Sequence, residues 1–101
     1  MTKIINGKKY STGTATFVGE ASYSHPGDFN WWYEALYIKR TGEFFLFGEG
    51  GPMSNYCTQV GQNEWGGGKE IVPLSLIEAQ EWAEENLDYD TYVKYFGEVD
   101  E

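Results

Sequence analysis

The chain has 101 residues, a formal net charge of -9 and 18% aromatic residues. That length supports one domain with its own core, the aromatic content excludes a disordered tail, and a lone cysteine, Cys57, excludes an internal disulfide framework. With no charged-then-apolar leader and no long apolar run, the expectation is a single cytoplasmic domain over residues 1–101 that does not enter a membrane.

Asn6-Gly7, between the short segments ending at Ile5 and starting at Lys8, is the preferred pair for a tight hairpin turn. Ser11 or Thr12 can cap a short helix over roughly Thr14–Ser22, although β-branched Thr14, Thr16 and Val18 weigh against it. Tyr23–Asn30, with Pro26 and Gly27 and no period, reads as a loop. Trp31–Arg40 is rich in strand formers and leads through Thr41-Gly42 into Phe44–Phe47, whose four consecutive large apolar residues leave no face for water. This predicts a hairpin whose second strand is the doubly buried centre of the sheet. If Arg40 faces Glu43, Ile38 meets Phe45 and Leu36 meets Phe47 on one face, with Tyr37 against Leu46 and Lys39 against Phe44 on the other.

Gly48, Gly50, Gly51 and Pro52 are expected to end that strand in a special loop. The glycine-dense connection through Gly68 predicts a hidden strand near Tyr56–Val60, followed by an edge strand over Lys69–Leu74 closed by Pro73. Ser75 and Glu78 form a capping-box pair for a helix with Leu76, Ala79, Ala83 and Leu87 inward, Trp82 beside them, and Glu78, Glu81, Glu84 and Glu85 outward. Asp88 or Asp90 caps a second helix with Tyr89, Tyr92, Val93 and Phe96 inward and Gly97 at its end. The fold class is therefore α+β: a small antiparallel sheet centred on a buried hairpin, with two C-terminal helices on one face.

Charge is segregated along the chain. Residues 1–74 hold seven acids and six bases, whereas residues 75–101 hold nine acids and only Lys94, a net of -8. Such a segment repels phosphate, so direct nucleic-acid binding is disfavoured and a basic protein partner is favoured. Gly68-Lys69 is followed by Glu70, which breaks the phosphate-loop pattern. His25 and Cys57 are one of each with no catalytic motif around them, and no His or Cys pair has metal-ligand spacing. No catalytic residue, metal or cofactor is expected, and the chain is not read as an enzyme. Trp31, Trp32 and Trp65 sit beside loops and read either as core capping the sheet or as interface anchors.

The strings I-I-N-G-K-K-Y, F-L-F-G-E-G-G-P-M-S, W-G-G-G with I-V-P-L-S, and E-A-Q-E-W-A-E-E-N-L-D followed by Y-V-K-Y-F-G run along nearly the whole chain. They resemble a family of small acidic proteins carried on plasmids, prophages and integrative elements of Gram-positive bacteria. The resemblance implies an anti-defence factor, such as an anti-CRISPR protein that occupies the nucleic-acid-binding surface of a Cas nuclease. It carries over no catalytic residue. The resulting expectation is a stoichiometric inhibitor whose partner-binding residues are Glu78, Glu81, Glu84, Glu85, Asp88 and Asp90, joined by Glu49, Trp31, Trp32 and Trp65. Two other readings compete: a small enzyme or ligand-binding domain using the glycine loop 48–53 with Glu49, His25 and Cys57, and an interaction module serving the mobile element itself.

Overall fold

The computed structural model describes residues 1–101 as an antiparallel α+β fold. Strands β1 (Thr2–Ile5) and β2 (Lys8–Ser11) form a hairpin around Asn6 and Gly7, whose φ values of 52° and 78° are those a type I′ turn demands. The main sheet has the order β3-β4-β5-β8, from Thr16–Tyr23, Trp32–Ile38, Phe44–Gly50 and Gly68–Leu74. Between its last two strands a small ribbon, β6 (Thr58–Gly61) and β7 (Glu64–Gly66), pairs only with itself. Helices α1 (Leu76–Asn86) and α2 (Tyr89–Phe96) follow.

Phe44–Phe47 lies in an inner strand, with Phe45 fully buried, as the apolar run predicts. Thr14–Ser22 is not a helix. Its β-branched residues place it in β3, an edge strand paired with β4, and an irregularity between Phe17 and Gly19 buries both Val18 and Gly19. The β4–β5 register also differs from expectation. Ile38 pairs with Phe44, Tyr37 with Phe45, Leu36 with Leu46 and Ala35 with Phe47. The cause is a turn of three residues, Arg40-Thr41-Gly42, in which Gly42 takes φ 89° and Lys39 rather than Arg40 stands opposite Glu43. A one-residue slip exchanges the faces. Leu36, Phe44 and Leu46 therefore join Val18 and Ala79 beneath the helices, while Phe45 joins Tyr10 and Ile71 beneath the N-terminal hairpin.

β5 does not stop at Gly48 but runs on through Gly50, because glycine accepts extended backbone and the space a side chain would fill is already taken. The Tyr56 ring lies over Gly48, and Ser54 over Gly50. The hidden strand begins two residues later than Tyr56 and has a partner, β7, that the sequence reading missed. Pro73 stands within β8 rather than closing it, tolerated because β8 is an edge.

Candidate binding surface on the C-terminal helices

Ala79 and Ala83, both fully buried, let α1 lie close to the sheet, and Trp82 and Leu87 pack beside them. Gly19 has the Leu87 side chain where its own Cβ would be, which brings the helix end down onto β3. Leu76 instead is exposed, as is Ile77. α2 is held by Phe96, stacked on Phe44 with ring centroids 5.1 Å apart, and by Tyr95, while Tyr89 points outward instead of inward and donates to Glu98 Oε2 at 2.9 Å.

A polar contact that the sequence reading did not single out fixes α1 laterally. Glu34, half-buried on β4, accepts the Trp82 Nε1–H at 2.9 Å on one oxygen and the Tyr56 hydroxyl on the other. The available signal was an acid at an inward position of a strand, two residues before Leu36. Burial and the Glu34 carboxylate together push the Tyr56 hydroxyl well above its ordinary pKa.

Both helix caps form as predicted. The Ser75 hydroxyl accepts from the Glu78 amide at 3.1 Å while Glu78 Oε1 accepts from the Ser75 amide at 2.9 Å, and Asp88 Oδ1 accepts from the Thr91 amide at 2.8 Å. These hydrogen bonds hold the Glu78 and Asp88 carboxyls below their ordinary range, so both remain charged in mild acid. Glu78, Glu81, Glu84, Glu85, Asp88 and Asp90 are all exposed. The molecule's salt bridges are Lys8–Glu43, Lys39–Glu43 and Lys69–Glu49, so no acid beyond residue 74 is paired. Between the helices, Glu84 and Asp88 flank an apolar cleft of about 360 Å³ that includes Leu87 and Tyr92.

The other expected partner-binding residues lie elsewhere. Glu49 projects from the sheet face opposite the helices, 3.9 Å from Lys69, and shares a shallow cleft with Trp31, Gly51 and Lys69. Trp31 and Trp32 are half-buried at the start of β4, whereas Trp65 is 56% exposed on the β6–β7 ribbon. The six carboxylates thus belong to α1, α2 and the cap between them, whereas Glu49 lies on the opposite sheet face and Trp65 on the β6–β7 ribbon. His25 Nδ1 accepts from the Gly27 amide, and no hydrogen bond links His25, Glu49 and Cys57. No group of three or more His, Cys, Asp and Glu side chains is arranged to hold a metal. No helix is long and apolar enough to cross a membrane. Comparison with protein-family models, curated proteins and solved structures returns no match.

Proposed function

We propose that this chain is a stoichiometric protein inhibitor of a bacterial defence system, acting as an anti-CRISPR protein whose helical carboxylates occupy a Lys/Arg-lined, nucleic-acid-binding groove of a Cas effector. The observation that carries the reading is a set of six exposed acids on α1 and α2 with no internal cation to neutralise them. Their placement disfavours stability. Glu84 and Glu85 stand in the last turn of α1, at the negative end of the helix dipole, with no base beside them. Solubility alone does not require nine acids against one base over residues 75–101. Charge of this kind, fixed on helices that are themselves anchored to the sheet, steers and orients a basic partner. The choice of a defence nuclease follows the resemblance to proteins of mobile elements.

The glycines that motivate a ligand-binding loop have another role. Gly48, Gly50 and Gly51 are positions where neighbouring atoms already fill the space of a Cβ, so close packing accounts for them.

Binding to a panel of Cas effectors, with and without guide RNA, tests the proposal. One-to-one binding that guide RNA or target DNA competes away is expected, and replacing Glu78, Glu81, Glu84, Glu85, Asp88 and Asp90 by Lys abolishes it. Inhibition that survives the six-fold reversal refutes the phosphate-mimic surface, and absence of binding across the panel refutes the target class.

A further inference from the structure

Acids outnumber bases 16 to 7 in this chain, yet two of the bases at one pocket have no acidic partner. The pocket, about 290 Å³, lies between the N-terminal hairpin and the β4–β5 turn and is lined by Lys9, Ser11, Thr14, Ala15, Lys39 and Arg40. No carboxylate lines it. Lys9 comes from β2, Thr14 from the turn into β3, and Lys39 and Arg40 from the end of the β4–β5 hairpin, so three separated pieces of chain converge there. The hairpin lies on the sheet face opposite the acidic helices, which keeps Lys9 and Arg40 away from the helical acids.

The lining is rich in donors. Lys39 is set in place, its Nζ donating to the Lys9 carbonyl at 3.1 Å, lying 3.3 Å from Glu43 Oε1 and 3.9 Å from the centre of the Tyr10 ring. Its position is therefore fixed, and Glu43 balances its charge. Ser11 is 5% exposed, and its Oγ accepts from Thr2 Oγ1 at 2.9 Å and from the Gly13 amide at 3.2 Å. The buried Ser11 hydroxyl is thus held by the N-terminal hairpin and forms part of the floor of the pocket. The Thr14 hydroxyl and the Arg40 guanidinium make no hydrogen bond within the protein. The Thr14 hydroxyl, the forked Arg40 guanidinium and the Lys9 ammonium, none of them bonded within the protein, line one small volume and match a tetrahedral oxyanion.

We infer that this pocket is a binding site for free phosphate or a small phosphate monoester. It is independent of the helical surface and of the function proposed for it. A polyanion is disfavoured because the net charge of -9 repels it along its length, whereas one small dianion feels mainly the cations within a Debye length of about 8–10 Å.

Titration with inorganic phosphate and with phenyl phosphate, followed by ¹H–¹⁵N correlation NMR at pH 7.5 and constant ionic strength, tests the site. Saturable shifts confined to amides around Lys9, Thr14 and Arg40 are expected, with affinity about ten-fold weaker in Lys9→Gln and in Arg40→Gln. Lys94→Gln, on α2, leaves the affinity unchanged. Binding of both probes identifies a monoester site, and binding of inorganic phosphate alone identifies a free-ion site. Shifts that do not saturate, or that persist in a folded Lys9→Gln/Arg40→Gln double variant, overturn the inference.

Discussion

Glu34 is the residue on which two otherwise separate parts of the chain meet, because its two oxygens receive the Tyr56 hydroxyl and the Trp82 indole. The neutral tyrosine is what this arrangement needs. Burial and Glu34 raise the Tyr56 pKa above its ordinary 10.0, and burial and Glu20 do the same for Tyr33. In the unfolded chain both hydroxyls ionise near pH 10, while in the fold they keep their protons. The stabilisation is therefore complete below pH 10 and is lost as pH rises from there toward the folded values, by at most about 1.4 kcal/mol per pH unit for the buried Tyr56 and by less for Tyr33, where solvent screens the interaction. Thermal melts between pH 7 and 11 are expected to show a falling Tm above about pH 10. Tyr56→Phe is expected to be about 1–3 kcal/mol less stable at pH 7, with a half-buried carboxylate oxygen left short of a donor, and to decline less steeply in alkali. Equal slopes for the two proteins would contradict the linkage.

Among the elements, the end of β5 and the loop after it are held by contacts that only glycine permits. At Gly51 a Cβ would meet the Phe29 carbonyl oxygen at 2.6 Å and Trp31 Cδ1 at 2.8 Å, and backbone cannot swing aside as a side-chain tip can. The Gly51 amide also donates to the Trp31 carbonyl at 2.9 Å, and Met53 to Phe29 at 2.8 Å, so the loop is stitched to the start of β4. Gly51→Ala is expected to cost about 1–3 kcal/mol through overpacking, lowering Tm by roughly 4–8 °C per kcal/mol. Glu49→Gln, which touches only an open pair with Lys69, is expected to change stability by less than about 0.5 kcal/mol. Differential scanning calorimetry of the two variants checks both values, and a Gly51→Ala melt equal to that of the parent would show that the loop yields freely.

For the molecule as a whole, the sheet divides two surfaces of unlike charge: helices carrying unpaired acids on one face, and a hairpin with clustered bases on the other. Along α1, Glu78–Glu81, Glu81–Glu84 and Glu81–Glu85 are like charges at three- or four-residue spacing, each pair destabilising by about 0.2–0.5 kcal/mol. Screening relieves that repulsion. Raising salt from about 0.01 M to 0.15 M, which shortens the Debye length from about 30 to about 8 Å, is expected to stabilise the protein by up to about 1 kcal/mol, read as a rise in Tm. A melting temperature that falls with salt would mean that attractive pairs, not the helical acids, dominate the electrostatics.

The features legible in the amino-acid string are those that rest on local chemistry. Asn6-Gly7 specifies its turn, Phe44–Phe47 must be covered on both faces, Ser75 with Glu78 starts α1, Asp88 starts α2, and the nine acids of residues 75–101 have only Lys94 among them to pair with. Tertiary structure decided whatever depended on a partner distant in the chain. Strand pairing with β4 turned Thr16–Tyr23 into β3, and the positive φ of Gly42 set a register that exchanged the two faces of the hairpin. The same dependence explains why Tyr56 over Gly48, the meeting of Tyr56 and Trp82 at Glu34, and the convergence of Lys9, Lys39 and Arg40 were not legible in sequence. Each joins residues whose separation along the chain carries no periodic signal, so only the closed sheet brings them within contact distance.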